Sequence, residues 1–197
     1  MRKMQWFLLP LFLRRRPAAR DPLAVTMCGA RAGERILQIG LDDPALAGAL
    51  ASKAGLNGSA AILVSTEPAA EKAHAAAAAA GALVDIAAAL PPPLPYDDGA
   101  FDLIVVHAMK GLTVALGGGP LPDALRECRR VLRPGGRIVI IERGTSGRLA
   151  ALLGQRHLAT PSPGHETGSA LEGASFKPVR RLGDREGYLF TEGMRGA

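Results

Sequence analysis

Five short apolar runs, each ending at a turn signal and separated by helix-like stretches, dominate the sequence. They are Arg35–Ile39 (followed by Gly40), Ala61–Val64, Leu83–Ile86, Phe101–Val106 and Arg137–Ile141. Runs this short, rich in Ile, Leu and Val, suit strands buried on both faces. Between the first two, Asp43-Pro44 opens a helix that runs to about Lys53 and closes at Gly55. Asp is a good N-cap, and Pro suits the first helical position. Glu67-Pro68 opens a second helix, which passes through the alanine run 75–80 and ends at Gly81. Alanine is the best helix former, so the run reads as helix and not as linker. Leu90–Pro95 is a proline-rich loop, and Pro122–Leu132 is a helix stopped by Pro134-Gly135-Gly136. Strands alternating with helices predict a parallel sheet with right-handed crossovers, a doubly wound α/β fold. The tail differs. Thr145–Ala174 reads as helix with a break at Pro161–Gly164, and Val179–Leu182 and Gly187–Thr191 read as a hairpin turning at Gly183–Glu186.

The 197 residues suit one domain. Apolar residues make up 48% of the chain, but 35 of them are alanine, so the slightly positive mean hydropathy is no membrane signal. No apolar run approaches the ~20 residues of a spanning helix. Cys28 and Cys128 stand far apart, which excludes a disulfide scaffold or a cysteine zinc site and suits a reducing, cytoplasmic compartment. The net charge of +6 is unevenly spread: +6 over residues 1–35, −6 over 36–102 and +6 over 103–197. With aromatics at 4%, base-stacking platforms are scarce and nucleic acid is not an expected partner.

Residues 1–20 form a separate basic and apolar arm, and residues 21–197 the domain. The arm sets Trp6–Leu13 between Arg2-Lys3 and Arg14-Arg15-Arg16. That triplet stands where a signal peptide would have its polar cleavage region. A signal peptide is the least expected reading; the others are a segment packed on the domain, which is favoured, and a peripheral contact with an anionic membrane or a protein.

Four stretches resemble the class I S-adenosylmethionine-dependent methyltransferases, in particular the methyltransferase type 11 group. Gly33-Glu34-Arg35-Ile36-Leu37-Gln38-Ile39-Gly40 is similar to the family's first strand and turn. Leu94-Pro95-Tyr96-Asp97-Asp98-Gly99-Ala100-Phe101-Asp102 resembles its loop and fourth strand, and Val131–Arg137 its turn into the fifth. Gly173–Phe176 through Gly193 resembles its terminal hairpin. The resemblance implies a mostly parallel seven-stranded Rossmann-like sheet with a C-terminal antiparallel hairpin. It also implies S-adenosylmethionine as cofactor and methyl transfer to a small-molecule substrate.

Carried over residue by residue, the cofactor positions are degenerate. Gln38 stands where an acid usually ends the first strand. In the G-x-G-x-G loop Gly40 fills the first glycine, while Asp42 and Pro44 replace the others. Ser65, with Glu67 two residues on, takes the place of the ribose-binding acid, and Leu90 that of an Asp near the adenine. Asp42 brings a negative charge to the methionine end, where an ammonium could meet it. Pro44 removes one helix N–H donor, and Asp43 satisfies others by capping. A neutral Ser65 bond is about half as strong as a charge-assisted one. The expected set is therefore Gln38, Gly40, Asp42, Ser65, Glu67 and Leu90 for the cofactor. His107, following the fourth strand, is expected at the acceptor as base or orienter. The alternative is a catalytically inactive methyltransferase fold that serves as a binding or scaffold protein.

Other features have plainer readings. Lys110 could attract an anionic substrate or simply be a surface lysine. Gly117-Gly118-Gly119-Pro120 is a connector or a lid. Arg126, Arg129, Arg130 and Arg133 form a basic helical stripe whose default is a solvated face. No metal set is expected from His157 and His165, and no phosphate loop or Ser-His-Asp arrangement is present.

Overall fold

The computed structural model describes residues 22–88, 93–144 and 163–197. The arm, Leu90, His157 and the first part of the tail helix lie outside the described residues. The chain runs α1 (Leu23–Cys28), β1 (Arg35–Ile39), α2 (Pro44–Ala54), β2 (Ser59–Val64), α3 (Glu67–Ala80), β3 (Asp85–Ala88) and β4 (Phe101–Ala108). It continues through α4 (Leu112–Ala115), α5 (Leu121–Val131), β5 (Leu132–Arg143), α6 (Pro163–Gly173), β6 (Phe176–Arg185) and β7 (Tyr188–Arg195). The seven strands lie in the order β3-β2-β1-β4-β5-β7-β6. The first five are parallel, whereas β7 pairs antiparallel with both β5 and β6. This is the expected doubly wound sheet with its antiparallel end.

Strand periodicity explains the two covered faces. Leu37, Ile39, Ile104, Val106, Ile138 and Ile140 point to one side and pack with Leu125, Cys128 and Val131 of α5 and Leu171 of α6. Ile36, Leu103, Val105, Val139 and Ile141 point to the other and meet Val25 and Cys28 of α1 and Leu46 and Leu50 of α2. The alanine run acts as a thin spacer. Ala70, Ala73 and Ala77 are the buried stripe of α3, and a Cβ on Gly48 of α2 would stand 2.7 Å from the Ala76 carbonyl oxygen. Small residues on both helices let them approach closely.

Local readings held where a cap or breaker acts. The Asp43 carboxylate accepts from the N–H of Ala45 (3.0 Å) and Leu46 (3.3 Å), and Gly81 closes α3 in a left-handed conformation. Other bounds moved. The third strand lies at Asp85–Ala88, two residues later than its apolar run, because its register follows β2. Pro134-Gly135-Gly136 falls inside the start of β5, with Pro134 and Gly135 exposed and Gly136 buried, where the pairing with β4 shifts register between Phe101 and Leu103. The hairpin turns at Glu186-Gly187, both with positive φ (54° and 81°), and not at Gly183–Glu186. A two-residue turn of this hand matches strand twist, so the strands run longer than their apolar cores suggest. Helices α1 and α4, with six and four residues, were not expected from pattern.

Ion pairs gather at the N-terminal edge of the parallel strands. Asp102, at the start of β4, accepts from the Arg35 N–H (2.7 Å) and the Arg35 Nε (3.2 Å), and from the Arg133 Nε. Arg137, opening β5, donates to Glu34 (2.8 Å) and to the Gly29 carbonyl (2.7 Å). The basic stripe of α5 is engaged internally. Arg126 pairs with Asp123, Arg129 donates to the Ser175 carbonyl, and Arg130 binds Glu127, Asp98 and the carbonyls of Leu94 and Tyr96.

Burial pushes the Asp102 carboxyl up, but the hydrogen bonds from Arg35 and Arg133 and the charge of Arg35 outweigh it and hold the group down to about 2. A depressed carboxylate stabilises the fold above its unfolded value near 4 and loses that contribution as pH falls towards 2. Asp102→Asn is therefore expected to lower unfolding free energy by about 2 kcal/mol at pH 7. The gap from wild type should narrow between pH 4 and pH 3 in urea titrations, and a pH-independent gap would contradict this account.

Candidate active site

β1 is hydrogen-bonded to β2 on one side and β4 on the other. The loops leaving β1 and β4 part at this switch point and open a crevice beyond the strands' C-terminal ends. A cavity of about 220 Å³ lies there, walled by Gly40, Leu41, Asp42, Val64, Ser65, Ala69, His107, Lys110, Gly111, Val114 and Ala115. Four of the expected residues, Gly40, Asp42, Ser65 and His107, thus share one wall. Glu67 is exposed at the first turn of α3 and is not part of it. Gln38 lies beneath the turn: it is 2% exposed, and its Nε2 donates to the Gly40 carbonyl at 3.0 Å. Its Oε1 is buried and has no partner among the described residues.

Gly40 has φ 84°, and a Cβ there would stand 3.0 Å from the His107 carbonyl oxygen. The glycine is required by close packing of two strand ends as well as by the turn. Asp42 reaches across the crevice, where its carboxylate accepts from the Met109 N–H at 3.2 Å. The first N–H donors of α2 are taken by Asp43, and Pro44 has none. This helix N-terminus therefore presents fewer free donors to an anion than usual.

His107 ends β4 and is 4% exposed, and its Nε2 is buried with no partner among the described residues. Burial pushes the imidazole down to about 4, against the opposing pull of Asp42 and Asp43. The ring is neutral at pH 7 and offers one donor and one acceptor. A second cavity, of about 420 Å³, adjoins the first and shares Lys110, Gly111 and Val114 with it. Its wall adds Leu112, Thr113, Leu121, Glu142, Glu166 and Thr167. Sequence reasoning overlooked Glu142. The available signal was a carboxylate closing the apolar run Ile138–Ile141 at the ligand-binding end of a central strand.

Residues 37–140, more than half of the chain, match the family model described as Methyltransferase domain. The chain belongs to this methyltransferase family. The fold is shared with a S-adenosylmethionine-dependent methyltransferase from Aquifex aeolicus at 19% identity and TM-score 0.67, covering 88% of each chain. It is shared too with the complex between the Haloferax volcanii Trm112 methyltransferase activator and a methyltransferase. There the identity is 15% and the TM-score 0.62, over 89% of this chain and 88% of that one. The [4+2]-cyclase SpnF has it at 16% identity and TM-score 0.61, over 89% and 79%. At such identities the likeness shows the fold alone. No curated protein matches the chain.

The family's cofactor is S-adenosylmethionine, and the polar groups of the first cavity fit its parts. Asp42 suits an ammonium, Lys110 a carboxylate and Ser65 a hydroxyl, while His107 keeps an orphaned buried nitrogen at the same wall. Among the described residues no helix is long and apolar enough to cross a membrane. No group of His, Cys, Asp and Glu there could hold a metal ion.

Two outcomes follow from this geometry. The His107 ring is expected to titrate near pH 4 by ¹⁵N NMR, so that its signals show a neutral imidazole at pH 6. Gly40→Ala should destabilise the fold by about 2 kcal/mol in chemical denaturation, since alanine would meet both the positive φ and the His107 carbonyl.

Proposed function

We propose that the protein transfers a methyl group from S-adenosylmethionine to a small-molecule acceptor, with the cofactor in the first cavity and the acceptor in the second. The observation that carries this is the shared wall: one set of residues, Lys110, Gly111 and Val114, faces both spaces. When bound, the cofactor supplies an electrophilic methyl carried on a sulfonium. Asp42 receives the ammonium of its methionine part, Lys110 the carboxylate, and Ser65 a ribose hydroxyl. Glu67 stands outside this wall and adds negative potential at the mouth of the crevice. Gln38 acts from below by holding the Gly40 carbonyl and with it the turn.

A neutral, weakly basic imidazole is a poor proton acceptor but a good orienting group. His107 stands on the wall of the first cavity and not of the second, so it orients the reacting end of the cofactor from that side, and most of the rate enhancement comes from alignment of the two reactants. The competing reading is a chain that keeps the fold without methyl transfer. The Asp42–Met109 bond across the crevice and the self-capped start of α2 favour it.

Isothermal titration with S-adenosylhomocysteine separates the two. We expect binding in the micromolar range and a loss of about tenfold for Ser65→Ala, the weight of one hydrogen bond. No heat at millimolar ligand would sink the methyl-transfer reading and leave the scaffold.

A further inference from the structure

The wall of the second cavity combines the apolar Leu112, Val114 and Leu121 of the segment after β4 with Glu142 of β5 and Glu166 and Thr167 of α6, and adds Lys110 and Thr113. Glu142, the last residue but one of the central strand β5, is 6% exposed, and among the described residues it accepts one side-chain hydrogen bond, from the Thr167 Oγ1 at 2.8 Å. Among the described residues neither Glu142 nor Glu166 makes an ion pair. Lys110 is exposed at the rim shared with the first cavity and stands beyond ion-pair distance of both carboxylates. A carboxylate has about four lone-pair sites. A buried one is normally matched by charge or by several donors. Among the described residues, Glu142 therefore lines a cavity of mixed apolar and polar wall with one hydroxyl donor and no cation paired to it.

We infer that the second cavity recognises a small acceptor carrying a protonated amine on an apolar body, with Glu142 as the ammonium's partner and Glu166 at the rim. An ammonium supplies both the missing charge and up to three donors. An anionic acceptor would meet two carboxylates, and a neutral alcohol would satisfy one lone pair and leave the charge unmatched. Burial, with Glu166 adding to it, pushes the Glu142 carboxyl up. A cation entering the cavity would reverse that strain. Thr167 holds the carboxylate from the first turns of α6 and leaves the lone pairs on its cavity side to the ligand. The inference rests on the acceptor location argued above, but it concerns recognition alone and needs no bound cofactor.

The test is calorimetry on the full chain with three probes of similar shape: 3-phenylpropylamine, 3-phenylpropan-1-ol and 3-phenylpropionate. S-adenosylhomocysteine is titrated separately. The amine should bind at least about tenfold tighter than either analogue, the weight of one hydrogen bond to a charged group. Glu142→Gln, close in shape, should abolish that preference while S-adenosylhomocysteine binding stays unchanged. Glu166→Gln, at an exposed site that tolerates change, should weaken it by a smaller factor. Equal binding of the three probes, no binding of the amine, or a preference that survives Glu142→Gln overturns the inference. Amine selectivity without S-adenosylhomocysteine binding would uphold it and remove the methyl-transfer reading instead. If Glu142→Gln does not fold, the ranking of probes on the wild type and on Glu166→Gln decides.

Discussion

β1 has a parallel neighbour on each side, and almost everything at the site follows from that. The connections leaving β1 and β4 run to opposite faces of the sheet, α2 on one and α4 and α5 on the other, so the chain does not close over the ends of these strands. The resulting crevice is a topological consequence of strand order, and it survives the loss of individual glycines. The cavity is present with Asp42 on its wall, at a position where the resemblance leads to the expectation of a glycine. The crevice has nevertheless been retuned. The Asp42–Met109 bond ties its two lips, and Asp43 consumes donors that a ligand could have used.

The sheet divides its polar chemistry between its ends. At the N-terminal edge, Arg35, Asp102, Arg133, Glu34 and Arg137 satisfy one another through long-range pairs that hold β1, β4 and β5 together. At the C-terminal edge, Gln38 and His107 carry buried polar atoms without partners, and Glu142 is served by a single hydroxyl. Buried polar atoms without partners among the described residues also include the Tyr96 hydroxyl, beside Phe101 at the start of β4, and the Thr191 hydroxyl on β7. The ion-paired edge ties β1, β4 and β5 together, and His107 and Glu142 stand at the other edge, where the two cavities lie. The exposed histidine-free rim at Lys110 and Gly111 links the two cavities that this arrangement leaves open.

Much of the fold was legible because it depends on local, repetitive signals. The apolar runs marked β1, β2, β4 and β5, and Asp43, Gly55 and Gly81 marked helix ends by their capping chemistry. The hairpin was legible as an element but not in its turn, because Glu186 adopts positive φ only under the pairing of β6 with β7. Among site residues, Gly40, Asp42, Ser65 and His107 were legible from their position after strands. Gln38 and Glu67 were placed near the site by alignment with a motif, yet one turned beneath the loop and the other outward. Glu142 and Thr167 escaped notice because they are 25 residues apart and meet only when α6 packs on the end of β5.

Taken alone, the residue pattern determined a doubly wound sheet, its two apolar faces and the strand ends where chemistry could sit. Periodicity and capping act within a few residues, so they can be read along the chain. Tertiary structure decided which polar groups found partners. The Asp42–Met109 and Arg35–Asp102 contacts each span 67 residues and depend on register between strands, and burial of His107 depends on layers contributed by distant helices. Pairing and desolvation are properties of the assembled layers, and no local stretch of sequence contains them.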